Sequence, residues 1–195
     1  MIPEVVITGD GSSTLFNSGT GEAFGADVYL RNRWAGWDGW VGYAWGIARR
    51  KVEQYNRGAE YTATYERRHQ ITVMQARSFG GRWRLDLSFR YGTGQPTTLA
   101  AGRYTVTDVT GRTYDVALPG ELNAYRLPDF HRLDVGVSRT FRVGGTTVEP
   151  NLQIINVYNH ENVYLRTYDL TTNPATFDDV TMFPFLPTIG VNVTF

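Results

Sequence analysis

The last eight residues alternate between polar and apolar side chains without an exception. The apolar members are Ile189, Val191, Val193 and Phe195, and the residues before them are threonine, glycine and asparagine. A strict period of two is the spacing of a β-strand with two unlike faces. The C-terminal segment therefore predicts a strand, and it favours a fold in which each sheet has one apolar and one polar face.

The same period recurs along most of the chain. Residues 83–91 place Trp, Leu, Leu, Phe and Tyr on one face and charged or hydroxyl side chains on the other. No helical period continues over three turns, and 14% aromatic residues with 21 glycines favour strands and turns. We predict about eight strands, at residues 2–9, 22–34, 38–50, 66–77, 82–93, 130–142, 146–158 and 186–195.

The connections between these strands alternate between short and long. Residues 35–37, 78–81 and 143–145 are tight turns, whereas 92–129 and 159–185 are long loops. An antiparallel meander with short turns at one end and long loops at the other is typical of outer-membrane barrels. We therefore predict an all-β fold of one domain over residues 1–195. The predicted architecture is an up-and-down transmembrane β-barrel, or a segment of one, with short periplasmic turns and long extracellular loops. If 2–9 pairs with 186–195, the eight strands close into a barrel.

Two features of the strands favour a membrane barrel over a soluble one. Aromatic side chains lie near strand ends on the apolar face, as at a membrane–water boundary. The polar face carries charges of both signs, which in a membrane barrel pair inside the lumen. A soluble ligand-carrying barrel of lipocalin type, with its apolar face inside, is the alternative. The predicted lumen charge network comprises Asp27, Arg31, Arg84, Asp86, Arg90 and Asp134.

Composition excludes several classes of function. Lys plus Arg and Asp plus Glu both total 19, so the chain lacks the basic excess of a nucleic-acid binder. It has no cysteine, hence no thiolate nucleophile or Cys-ligated zinc. The three histidines are isolated in sequence, and no nucleophile elbow is present. We expect no enzyme activity and no cofactor. The first ten residues predict no signal peptide, and no apolar run is long enough for a transmembrane helix.

Several segments resemble one family in order along the chain. Residues 125–138, YRLPDFHRLDVGVS, look like a late strand of the TonB-dependent receptors. Residues 148–163, VEPNLQIINVYNHENV, resemble the following strand of that family, with its asparagine-rich ending. Residues 185–195 are similar to the last strand, and residues 17–27, NSGTGEAFGAD, to a strand entry. The resemblance covers about residues 15–195 and corresponds to the C-terminal third of such a barrel.

The resemblance implies a location and a role. It implies an outer-membrane protein of a Gram-negative bacterium that contacts the lipid bilayer and contributes to substrate uptake in an intact receptor. The plug and the TonB-contacting segment of that family have no counterpart in this sequence. A stand-alone eight-stranded outer-membrane protein with a structural or adhesive role is therefore a second reading.

Two groups of residues are candidates for contacts with partners. The terminal aromatic Phe195, with Val193 and Val191, resembles the recognition signal for the barrel-assembly machinery. The two long loops are rich in tyrosine and arginine, which suit recognition of a small-molecule or metal-chelate substrate. The candidate loop residues are Tyr104, Arg112, Tyr114, Tyr125, Arg126, Tyr164, Arg166 and Tyr168.

Overall fold

The computed structural model describes residues 6–7, 13–14, 19–169, 172 and 176–195. Their regular structure is β-strand apart from one 3₁₀ turn, Asn56–Gly58. The seven longest strands are β1 (Gly19–Trp34), β2 (Trp37–Val52), β3 (His69–Phe79), β4 (Trp83–Gly92), β5 (Phe130–Arg139), β6 (Thr146–Ile155) and β7 (Leu186–Thr194). The prediction of an all-β, antiparallel chain is confirmed.

These seven strands form one antiparallel sheet in sequence order, from β1 to β7. Phe141–Val143 continues β5 alongside β6, and Tyr61–Thr62 pairs with β2. Within the described residues the sheet is open, because β1 and β7 each pair on one side only. The predicted first strand, 2–9, lies mostly outside the described residues, and its described part, Val6–Ile7, pairs with Ser13–Thr14.

The short turns are as predicted, and their backbone conformations explain them. Ala35 and Gly36 join β1 to β2 with φ of 53° and 80°. Gly80 and Gly81 join β3 to β4 with φ of 56° and 69°. Positive φ at the central residues gives a turn whose twist matches that of the flanking strands. Glycine adopts this conformation without a steric cost, whereas Ala35 does so against its intrinsic preference.

The long connections contain strands that sequence periodicity did not reveal. Residues 93–129 include a hairpin of Ala100–Thr107 with Thr113–Pro119. The short strands Pro96–Thr97 and Tyr125–Arg126 also pair with each other there. Residues 156–185 include a second hairpin, Val163–Asp169 with Thr176–Thr181. These hairpins are too short and too mixed in composition to show a clean period of two.

Contacts along the backbone divide the chain into two compact units. The first comprises residues 1–24, 47–66 and 96–126, and the second comprises residues 25–46, 67–95 and 127–195. The second unit contains β3 to β7 and the residues of β1 and β2 that adjoin their shared turn. Among the described residues, no helix has both the length and the apolar character needed to cross a membrane.

Register shows that the apolar rows of separate strands share one face. Leu87 of β4 lies opposite Val135 of β5, and Val135 lies opposite Ile154 of β6. Further along β6, Leu152 lies opposite Ile189 of β7. A slip of one residue in any pair would move a whole row to the other face, so the shared pattern fixes the register.

A substitution at Gly94 tests the close approach of its backbone to that of Leu127. A Cβ at Gly94 would collide with the backbone carbonyl of Leu127, whereas one at Gly102 would meet no atom within 4 Å. We expect Gly94→Ala to lower the free energy of unfolding by about 1–3 kcal/mol, because backbone cannot move aside cheaply. Gly102→Ala is the matched control and should leave it nearly unchanged. Urea unfolding followed by circular dichroism measures both, and equal midpoints would contradict the placement of Gly94.

Candidate functional site

The polar face of the sheet in the second unit forms one continuous trough. Its volume is about 880 Å³, and its lining includes residues from all seven long strands. Ligand pockets usually fall between about 300 and 1,000 Å³, so the trough is large enough to hold a small molecule. Its polar lining includes Arg31, Asp38, Arg84, Asp86, Asp134, Glu149, Asn151, Gln153 and Asn192.

Charged side chains in and beside the trough form separate pairs. Arg84 contacts Asp86 at 2.9 Å, two residues along the same strand face, and Arg132 contacts Asp134 at 2.9 Å in the same way. Asp38 accepts Arg31 at 3.5 Å and Arg33 at 3.2 Å. Each pair is therefore local to one strand or to one hairpin.

The structure brings together only part of the predicted charge network. Arg84 and Asp86 meet each other, while Arg31 and Asp134 pair with residues outside the predicted set. No ion pair of Asp27 or Arg90 occurs within the described ranges. The missed partners Asp38, Arg33 and Arg132 have a signal in the sequence. Arg132 is two residues before Asp134, and Arg33 and Asp38 lie on either side of a tight turn.

Asn156 and Asn162 are the most deeply buried side chains described, at 0% and 2% exposure. Asn162 accepts the His131 backbone N–H at 2.9 Å and donates to the His131 carbonyl at 3.0 Å. It thus replaces a neighbouring strand at the start of β5, beyond the end of β6 at Ile155. These two bonds satisfy the backbone N–H and C=O of His131, which would otherwise lack hydrogen-bond partners at the end of the sheet.

Asn156 anchors the chain that leaves β6. Its side chain donates to the carbonyls of His160 and Phe183 at 2.9 and 3.1 Å, and its backbone N–H donates to Asp134. Asn159 accepts the Phe185 N–H at 2.8 Å. Asn156 and Asn159 have φ of 56° and 52°, a conformation that asparagine tolerates. These asparagines belong to the segment that carries the family resemblance, although sequence reasoning assigned them no role.

At the short-turn end, the apolar face carries aromatic rings with arginines over them. Phe79 and Trp83 stack with centroids 6.4 Å apart. The Arg139 guanidinium lies 5.0 Å from the Trp83 ring and 4.7 Å from the Phe141 ring, and Arg77 lies 5.6 Å from Trp37. Cation–π contacts of this kind accommodate the two arginines that interrupt the apolar rows.

At the opposite end of the second unit, tyrosines and histidines occupy the same face. Tyr43 and His69 are hydrogen-bonded at 2.8 Å, and Tyr91 donates to Asp129 at 2.6 Å. His131 bonds Tyr158 at 2.9 Å, and its ring stacks on His160 with centroids 3.7 Å apart. The described residues hold no group of three or more side chains able to bind a metal ion.

The candidate loop residues belong to two different units. In the first unit, Tyr104 and Tyr114 share one face of a hairpin and are each 51% exposed. Arg126 contacts the buried Glu66 at 2.6 Å, and the Arg112 N–H donates to Asp108. Tyr125 is exposed on the short strand before Arg126. Arg126 therefore has a structural partner, whereas the tyrosines are accessible.

In the second unit, the other three loop candidates lie on the hairpin of 163–181. Arg166 makes two bonds to Asp179, at 2.6 and 2.9 Å, and its guanidinium lies 4.0 Å from the Phe177 ring. Tyr164, two residues before Arg166, is 61% exposed, while Tyr168 is half-buried. The hydrogen bond from Arg166 lowers the pKa of Asp179 below its ordinary range, and attraction between the two charges adds to it.

The C-terminal residues lie on the apolar face, as the alternation predicts. Val191 and Val193 are 58% and 47% exposed, and Phe195 is 96% exposed. No family model, no curated protein and no solved structure matches the chain. The resemblance described from the sequence therefore stays a prediction.

The Asp179–Arg166 pair predicts a pH dependence of the hairpin. A carboxylate with a lowered folded-state pKa stabilises above its unfolded value, about 3.9, and loses that contribution as pH falls through the folded value. We expect the opening free energy of the hairpin to fall by about 0.5–1 kcal/mol below pH 4. Amide hydrogen exchange of residues 163–181 between pH 3 and 6 measures it.

Arg166→Gln should remove this dependence, because the carboxylate then loses its charged partner. Arg142→Gln, at an exposed residue of the strand Phe141–Val143, is the matched control and should retain it. A hairpin whose exchange follows the same pH profile in wild type and in Arg166→Gln would contradict the assignment.

Proposed function

We propose that the chain forms part of the wall of an outer-membrane β-barrel that resembles the C-terminal part of a TonB-dependent receptor. In an intact receptor it would contribute to substrate uptake, with the lipid bilayer and the barrel-assembly machinery as partners. The observation that carries the proposal is the exposure of the apolar face of the sheet, since the described residues include no buried apolar side chain other than Pro96.

The six buried residues with polar or charged side chains are Glu66, Asn123, Asp134, Ser138, Asn156 and Asn162. Apolar side chains of the same sheet are exposed, with Ile189 at 83% and Val191 at 58%. Leaving one large apolar side chain in water costs roughly 1.5–3 kcal/mol relative to burial. Lipid removes that cost for a whole face at once, whereas a soluble barrel would have to bury this face inside. The soluble reading therefore loses support.

The distance between the aromatic residues at the two ends of β4 also supports a membrane position. On β4 the apolar face runs from Trp83 through Leu85, Leu87 and Phe89 to Tyr91. Eight residues span about 27 Å along a strand, and a tilt near 40° reduces the height to about 20 Å. This is close to the apolar band of about 25 Å between aromatic girdles in outer-membrane barrels.

Strand parity determines what a closed barrel would require. The described meander has seven strands, so β1 and β7 run in the same direction. An antiparallel barrel closes only with an even number of strands, and backbone edges are not tolerated in lipid. Closure therefore needs an odd number of further strands between β7 and β1. The stand-alone alternative would draw a single strand from residues 1–18.

A pair of arginine substitutions in β7 tests the membrane orientation. Ile189 and Asn192 are both exposed, on opposite faces of the same strand. In water neither change should matter, but in lipid Ile189→Arg should cost about 2–4 kcal/mol and the control Asn192→Arg much less. Urea unfolding of the vesicle-bound chain measures both. Equal free energies for the two variants would refute the proposed orientation.

Gel mobility distinguishes the wall segment from the stand-alone barrel. Closed barrels resist dodecyl sulfate until boiled and then change mobility. If the chain is a wall segment, we expect it to show no such shift when refolded in detergent by itself, because both edges of its sheet would stay unpaired. A shift in the full chain that disappears when residues 1–18 are deleted would instead establish an eight-stranded barrel.

A further inference from the structure

Two aromatic rings lie side by side on the polar face of the sheet, within the trough. The Tyr29 and Trp40 ring centroids are 5.5 Å apart with an interplanar angle of 34°. A Cβ at Gly42, two residues along the same face as Trp40, would lie 3.2 Å from Cζ3 of the indole. The absence of a side chain at Gly42 thus lets the indole lie along the wall. Together the rings form an apolar platform in a trough whose lining also includes Met74 and Ala76 among its polar residues.

The charges of the trough already have partners. Asp38, Asp86 and Asp134 each contact an arginine, and Glu149 accepts a hydrogen bond of 2.7 Å from Ser138. Asp38 contacts two arginines, Arg31 and Arg33, whereas Glu149 contacts only the neutral hydroxyl of Ser138. An anionic ligand would have to compete with the aspartates for the arginines and so break one of these contacts. An uncharged ligand would leave all of them in place.

The side-chain amides of the trough supply both donors and acceptors. Asn151, Gln153 and Asn192 all belong to its lining. The Asn151 amide lies over Gly190, with Oδ1 2.9 Å from the position of a Cβ there. Each amide offers a carbonyl oxygen and an NH₂ group, and a hydroxyl group both donates and accepts. A ligand with many hydroxyls can therefore use these amides without carrying charge.

We propose that the trough binds a neutral carbohydrate whose C–H face stacks on Trp40 and Tyr29 and whose hydroxyls bond the amides. The platform lies on β1 and β2 and the amides lie on β6 and β7, so the trough suits a chain of several sugar rings, each with an apolar face and a polar rim. This inference goes beyond the proposed function, because the trough and its lining are the same whether or not the apolar face contacts lipid.

The experiment titrates maltotriose into the full chain refolded in dimethyldodecylamine oxide micelles. Glycoside detergents are avoided because their head groups are themselves sugars. Calorimetry should show saturable binding, and Trp40→Ala should weaken it about tenfold through loss of the stacked ring. Trp83→Ala is the matched control, since Trp83 lies on the opposite face, and should bind as wild type does. Citrate, an anion about the size of one hexose unit, should not bind.

Tyr29→Ala provides a second variant if Trp40→Ala fails to fold, because Tyr29 is 61% exposed and its loss removes little packing. It should also weaken maltotriose binding. The proposal is overturned by absence of saturable binding, by equal affinity in the ring variants and wild type, or by equal binding of citrate. It is also overturned if acrylamide cannot quench Trp40, measured as the difference from Trp40→Phe, because a protein segment would then cover the trough. Each of these results can occur while Ile189→Arg still behaves as a lipid-facing substitution.

Discussion

The antiparallel backbone ladder is the interaction on which the rest of the structure depends. No apolar side chain other than Pro96 is buried among the described residues, so no apolar core holds the sheet together. β3 pairs with β4 over ten consecutive residue pairs, from Gln70 with Gly92 to Phe79 with Trp83, and β4 pairs with β5 over ten more. In lipid such bonds gain strength because no water competes for the backbone groups. A fold of this kind needs its apolar residues only on one outer face.

Asparagine has a comparable role where the ladder ends. Asn56 and Asn123 in the first unit, and Asn156 and Asn159 in the second, all have positive φ. The side chains of Asn56 and Asn123 bond backbone carbonyls or N–H groups far away in sequence, as with Leu122 and Thr62. Asparagine combines tolerance of this backbone conformation with a side chain that mimics a peptide group. The long connections are therefore held by specific polar bonds in place of an apolar core.

Interactions on the apolar face extend across several strands, whereas ion pairs on the polar face stay within one strand or one hairpin. The apolar face is organised over whole strands, because each row continues across the register into the next strand. The polar face is organised locally, because Arg84 with Asp86 and Arg132 with Asp134 are pairs within one strand. These local pairs leave space between them. At Gly42, Gly136 and Gly190 no side chain extends into that space. A trough results on this face.

The sequence alone determined the strand class, the tight turns and the shared apolar face, because side-chain alternation and turn glycines are local properties of the chain. It did not show which charges pair, since Asp27 and Arg90 fit the pattern as well as Asp86 does. Nor did it show the hairpins within 93–129 and 156–185, whose strands are short and mixed in composition. Only the tertiary structure decided that the sheet formed by the described residues is open and that Tyr29 meets Trp40. Both depend on which strands lie side by side and how their side chains extend, and no single segment carries that information.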